Sequence, residues 1–416
     1  MIIKPFRGLR PRPDLAHRIP SVPYDVVDTQ EARRLAEGDP YTFLHVVRPE
    51  IDLPPDVDVH DERVYATGAR NLRAMIERGW LARDERPAYY VYRLTAGAHS
   101  QTGILGAAAV ADYTASRIKR HEHTRPDKER DRVKLNDALS AHPGPVFLIY
   151  RDRPDLDGLV DEIARTAPAV RFVAVDGVDH ALWVVDRAQE RERLESALSA
   201  LPASYIADGH HRAAAAARVA ELRLGRPGPH PPDAPYRFFL AAHFPASQVR
   251  VLEYNRLVRD LHGHPSQELL AAAAAEGLAV RQDRAGRRPP TRGSFGIYTG
   301  GQWHLARAAA ESIPSDPVRR LDVSLLGERV LRPLLGIEDP RTDPRIEFVG
   351  GSRGPEELER RVDSGEHAVA FALHPPSLDD VMAIADAGSV MPPKSTWFDP
   401  KLRSGMVVQS FDDPAL

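Results

Sequence analysis

Five consecutive residues, Asp208-Gly209-His210-His211-Arg212, concentrate the chemistry of this 416-residue sequence. Before them lies a short apolar stretch with β-formers, Ala203 to Ala207, and after them an Ala-rich run of strong helix formers, Ala213 to Leu224. That order predicts strand, tight turn, helix. The start of a helix leaves backbone N–H groups without partners and carries the positive end of the macrodipole, so an anion can dock there. Gly209 lets the backbone approach that anion closely, and Arg212 can grip it with two parallel hydrogen bonds. Asp208 is expected to cap the helix, with His210 and His211 beside it as donors or proton carriers. A plainer reading stands next to this one: Asp-Gly is a common turn, and His-His-Arg would also serve as a solvated first turn.

Three further polar concentrations share the same character. In Ser21-Val22-Pro23-Tyr24-Asp25, prolines 20 and 23 exclude a helix and fix extended backbone, which puts Tyr24 and Asp25 on a rigid loop. Asp28 is expected to cap the helix that begins near Thr29 and Gln30. The second is Arg120-His121-Glu122-His123-Thr124, followed by Lys128, Asp131 and Arg132. On an extended segment His121 and His123 would aim both rings the same way, but a metal site needs a third protein ligand, so no metal is assigned here. Lys128 and Arg132, one helical turn apart, would share a face and could hold phosphate oxygens, and Glu122 joins the candidate proton carriers. The third is the tail, where Lys394, Ser395, Thr396, Lys401, Arg403 and Ser404 would make a cationic, hydroxyl-rich lip suited to phosphate. Asn255 and Arg256, placed just after a strand over 237–244, are further candidates for a polar pocket.

The elements that must position these residues read clearly in places. Val64, Leu72, Met75 and Ile76 recur at helical spacing and predict a helix over 61–78 that Gly79 ends. Strands are expected over 41–47, 88–94, 102–110, 145–151, 170–176, 181–185 and 368–373, and helices over 30–37, 156–165, 187–198, 321–335 and 378–387. Helices and strands so interspersed predict a mixed α/β (α+β) chain. The expected domains are a core over 1–260 with an inserted α/β segment and a smaller α/β region over 261–416, whose tail packs back on the core.

Composition excludes several classes. The formal charge is −3 with 28% charged residues, so there is no basic excess of the kind that nucleic-acid binding calls for. Cysteine is absent, which removes disulfides, thiolate nucleophiles and sulfur-bound zinc. No apolar run reaches membrane-spanning length and the first residues do not read as a secretory signal, so the expected location is the cytoplasm. Neither a Walker-type loop nor a G-x-S-x-G elbow occurs.

With these segments laid out, the chain resembles the bacterial family named domain of unknown function 1015. The resemblance rests on Val22 to Val27, Arg120 to Thr124 with Lys128, Asp131 and Arg132, Ala207 to Arg212, Tyr254 to Arg256 and Pro393 to Lys401. A narrower resemblance joins Asp208 to Arg212 with the ADP-dependent free serine kinases, whose fold groups with ParB nucleotide-binding domains and sulfiredoxin. That resemblance implies a ParB/sulfiredoxin-like nucleotide-binding core, with Gly209, His210, His211 and Arg212 holding nucleotide phosphates. It also implies a phosphoryl-transfer enzyme, kinase or phosphatase, acting on a small hydroxylated metabolite, with serine or phosphoserine as first choice. ADP or ATP with Mg²⁺, and no zinc, is the cofactor set implied. The alternative is a non-catalytic nucleotide-binding regulator with the same fold.

Overall fold

In a computed structural model, which describes residues 1–412, the chain is a mixed α+β protein that divides into two compact units. The first comprises residues 1–120, 124–249 and the chain from 400 onward, and the second comprises 121–123 and 250–399. The boundary falls at 249/250 instead of 260 because the strand Tyr254–Val258 pairs with Ile346–Gly350 and Val369–Leu373, which ties it to the second unit's sheet.

The first unit is built on a mixed sheet. Its strands run in the spatial order Ile118–Lys119, Ser204–Asp208, Val146–Tyr150, Phe238–Pro245, His99–Ala109, Tyr89–Ala96, Asp179–Val185, Val170–Val173, with Ile3–Lys4 also paired to His99–Ala109. The strand Ser204–Asp208 runs parallel to Ile118–Lys119 and antiparallel to Val146–Tyr150. Leu148, Ile206, Phe239 and Ala241 belong to one buried cluster, as apolar central strands require.

Helix His210–Leu224 follows at once. Residues 213–217, all alanine, are buried, and such small side chains allow close approach to the helix Pro126–Leu139. Arg223 pairs with Asp137 at 3.0 Å and Arg218 with Glu129 at 3.2 Å, which fixes the register of the two helices. Pro126–Leu139 also packs on the helix Glu62–Glu77, whose inward face includes Val64, Tyr65, Leu72 and Met75 and whose first turn is capped by Asp61.

Residues 41–47 differ from expectation. Leu44–Val47 is a short helix, with Leu44, Val46 and Val47 buried along with Phe43. A run this brief, with one half-buried polar residue, His45, among buried apolar ones, is too short to show a period, so strand and helix look alike in sequence.

In the second unit an antiparallel sheet is ordered Leu278–Gln282, Gln302–Ala308, Ser294–Thr299, Val369–Leu373, Tyr254–Val258, Ile346–Gly350. The expected helix over 321–335 is α-helical only over Asp322–Leu326 and widens to a π-helical turn over Gly327–Leu331. No described helix is long and apolar enough to cross a membrane.

Candidate functional site

The motif turn is made by a bulge and a glycine. Opposite Val146–Tyr150, Ile206 pairs with Leu148 but Asp208 pairs with Phe147, so Ala207 is an extra residue. A bulge at the end of a strand turns the next side chain off the alternating pattern, and here that side chain is Asp208. Gly209 then adopts φ 95° and ψ 30°, left-handed backbone that other residues enter at a cost, and serves as the N-cap. Asp208 is therefore not the expected cap. Its Oδ1 accepts from the Gly209 N–H at 3.0 Å and its Oδ2 pairs with Lys401 Nζ at 3.1 Å, while the cap position itself, Gly209, has no side chain to offer.

Arg212 lies one turn into the helix and is 9% exposed. Nη1 donates to the Pro145 carbonyl at 2.8 Å and Nη2 to Asp25 Oδ1 at 3.1 Å. Burial alone would lower its pKa, but Asp25 and Asp208 outweigh that and raise it, so the guanidinium stays charged. Tyr24 sits beside it. The Tyr24 ring has the Arg132 guanidinium 3.9 Å from its centroid and that of Arg212 at 5.5 Å. Burial and the neighbouring Asp25 push the Tyr24 hydroxyl up to about 12, against both arginines, so it remains a neutral donor. Arg132 is held in place by Asp131 Oδ2, 2.9 Å from Nε, and Asp131 accepts in turn from Tyr65 at 3.0 Å and His60 at 3.1 Å.

Tyr24, Arg132 and Arg212 line a cleft of about 400 Å³, its open mouth included. Asn136, His142 and Ser404 complete its polar wall, and Val146, Phe239 and Leu240 are among its apolar residues. Burial pushes His142 down to about 3, so its ring is neutral, and Asn136 Nδ2 lies 3.4 Å from its Nδ1. Asn136 and His142 were not candidates in the sequence. The only available signal was their position at the end of the helix bearing Arg132.

His210 is buried, whereas His211 is half-buried and accepts the Arg125 N–H on Nε2 at 3.0 Å, which links Arg125, at the start of Pro126–Leu139, to the motif. Thr124 donates to Glu129 at 3.1 Å. Lys128 is exposed one turn before Arg132.

The other candidates belong to the second unit. His121 is buried and its carbonyl accepts from Met391 N at 2.8 Å, while His123 is exposed. The segment bends at His121 and Glu122 in place of the expected extended run, so the two rings do not share a face. Asn255 and Arg256 lie within the strand Tyr254–Val258, not after a strand. Asn255 Oδ1 accepts the Leu373 N–H at 3.0 Å, and Arg256 donates to the carbonyls of Tyr254 and Pro393. Burial lowers Arg256 to about 9. The Lys394 ammonium is 5.5 Å from the Tyr254 ring centroid, Ser395 is buried with its hydroxyl on Pro392 O at 2.6 Å, and Thr396 is half-buried. Among the described residues no group of three or more His, Asp or Glu is arranged to hold a metal ion.

The chain is similar to several solved structures at low identity and low TM-score. A free serine kinase in complex with AMP is 15% identical, with 71% of this chain and 86% of that one covered and a TM-score of 0.34. A conserved hypothetical protein from Pyrococcus furiosus is 14% identical, with 73% and 93% covered and a TM-score of 0.33. A C-terminally truncated SbnI from Staphylococcus aureus is 10% identical, with 71% and 82% covered and a TM-score of 0.39. No curated protein matches the chain significantly. The family model described as Protein of unknown function (DUF1015) matches residues 3–324, and the chain belongs to that family.

Proposed function

We propose that the first unit is a phosphoryl-transfer enzyme acting on a small hydroxylated metabolite, with serine or phosphoserine as its substrate and a nucleotide as phosphate partner. The observation that carries this reading is the buried Arg212 guanidinium, on the first turn of His210–Leu224 after the left-handed Gly209, opening on a cleft that Arg132 also lines. Backbone amides at a helix start and two fixed guanidiniums are what a phosphoryl group needs, since its transfer depends on charge neutralisation and positioning more than on covalent help.

The roles divide among residues of this unit. Arg212 and the amides after Gly209 hold a phosphate, Arg132 and Lys128 neutralise the transferred group, and Lys401 assists from its place on Asp208. Asp208, Asp25 or His210 takes the proton from the substrate hydroxyl. An anionic ligand at Arg212 would meet the Asp25 carboxylate as a like charge, and where it displaces that carboxylate Asp25 is released to act as the acceptor. Among the described residues no cluster of carboxylates or imidazoles is assembled to hold Mg²⁺, so such an ion would arrive with the nucleotide and would add charge neutralisation at the phosphates.

One observation favours a second reading, a nucleotide-binding sensor without turnover. Both carboxylates offered as proton acceptors are already in ion pairs, Asp25 with Arg212 and Asp208 with Lys401. Incubating the protein with phosphoserine and ADP, and separately with serine and ATP or ADP, tests the two. Transfer of phosphate in either direction supports the enzyme, whereas saturable nucleotide binding with no transfer supports the sensor.

A further inference from the structure

A second cleft, wholly within the second unit, is lined by Arg292, Arg320, Asp322, His374, Asp380 and Ser395, and measures about 400 Å³ with its open mouth. Asp380 is 2% exposed and receives both arginines, Arg320 at 2.8 Å, besides the Ser377 hydroxyl at 2.7 Å. Two guanidiniums against one carboxylate leave a net positive charge at this wall. Arg320 also has its Nε buried without a hydrogen-bond partner among the described residues, an orphan donor that a native interior rarely tolerates. Asp322, on the same cleft, is buried and accepts the Gly293 N–H on Oδ1 at 2.7 Å. Ser395 donates its hydroxyl to Pro392, which leaves the oxygen able to accept. Leu373, Pro375 and Pro376 supply apolar wall.

A positive wall and a separate buried carboxylate in one small cleft match a ligand with both charges. We propose that this cleft binds a small zwitterion of the α-amino-acid type, with Arg320 and Arg292 on its carboxylate, Asp322 and Ser395 on its ammonium, and a short side chain against Leu373 and the two prolines. Two carboxylates in the lining oppose a phosphate dianion. Burial pushes the Asp322 carboxyl up to about 7, against the Gly293 amide and Arg292, and an ammonium docked on it favours the ionised form. The inference goes beyond the phosphoryl-transfer reading and does not depend on it.

Calorimetric titration of the full chain with glycine and L-alanine, and with acetate and ethylammonium as single-charge controls, tests it. At least one zwitterion is expected to bind about tenfold more tightly than every control. Asp322→Asn keeps an oxygen for the Gly293 amide and should weaken that binding by about tenfold or more, as should Arg320→Gln at a half-exposed side chain. Arg212→Lys should leave it unchanged, which separates this cleft from the one in the first unit. No zwitterion binding up to about 10 mM, acetate or ethylammonium binding as tightly, or wild-type binding in both cleft variants would overturn the proposal.

Discussion

The Arg212 guanidinium donates to the Asp25 carboxylate at 3.1 Å across 187 residues of sequence, so the buried cation at the motif helix is held by an internal anion. Its other arm is fixed on the Pro145 carbonyl at 2.8 Å. A ligand phosphate at that arm would face the like charge of Asp25, and the effect of that carboxylate on affinity is measurable.

Arg212→Lys keeps the charge but loses the planar fork, because one ammonium cannot serve Pro145 and a phosphate with the same geometry. Affinity for phosphoserine or ADP is expected to fall by about tenfold or more, corresponding to about 1.5–3 kcal/mol for a charged hydrogen bond. Asp25→Asn is expected to do the reverse, tightening the same ligands several-fold while turnover is lost if Asp25 takes the proton. Calorimetry on both variants reads the sign directly, and a loss of affinity in Asp25→Asn would mean that Asp25 supports the ligand instead of competing with it.

Asp208 separates proton transfer from structure. Asp208→Asn keeps an oxygen for the Gly209 N–H but removes the ion pair with Lys401, and the amide cannot accept a proton at neutral pH. Turnover measured by phosphate release should drop by about a hundredfold, within the range of general-base contributions, with ligand affinity little changed. Equal silence in both measurements would assign Asp208 to holding the turn and nothing more.

Gly209→Ala probes the left-handed turn itself. A side chain at φ 95° costs about 1–2 kcal/mol, and the added Cβ would come within 3.4 Å of Val146 Cα and 3.5 Å of Arg212 Cδ. The urea midpoint should fall accordingly, with phosphate-ligand affinity per folded molecule little changed, because the added Cβ meets Arg212 only at ordinary contact distance. An unchanged midpoint would show that the turn relaxes without penalty.

His243 is fully buried in the strand Phe238–Pro245 with neither ring nitrogen hydrogen-bonded among the described residues. Burial, with a smaller push from the N-terminal ammonium, lowers its pKa from 6.5 to about 3. A histidine depressed in the folded state contributes stability that is present above pH 6.5 and is lost as pH falls toward 3. His243→Leu removes that titration and two unsatisfied polar atoms, so the melting temperature at pH 7 should hold or rise, and its decline between about pH 6.5 and 4 should be shallower. His142 and His180, also lowered to about 3, keep some acid sensitivity in the variant. A decline as steep as that of the parent protein would refute the account.

Much of the local structure was legible in the amino-acid order. The strand and helix on either side of Gly209, the Asp28 cap, and the apolar stripe of Glu62–Glu77 depend on residues within a turn or two of one another, and propensity and periodicity report such neighbours directly. The same order marked Tyr24, Asp25, Arg132 and Arg212 as polar residues in need of partners. That Asp208 to Arg212 would share a pocket with Tyr24 or Asp25 follows from the cost of burying so many polar groups apart, but the order of residues does not record which atoms meet. That Tyr24 lies between Arg132 and Arg212, that Ala207 bulges and so re-aims Asp208, that Gly209 displaces Asp208 as cap, and that Arg292 and Arg320 converge on Asp380 were decided by tertiary structure alone. Residues distant in sequence meet only where sheet register and helix packing bring their backbones together. Those are collective properties of many weak contacts, so no single short stretch of chain records them.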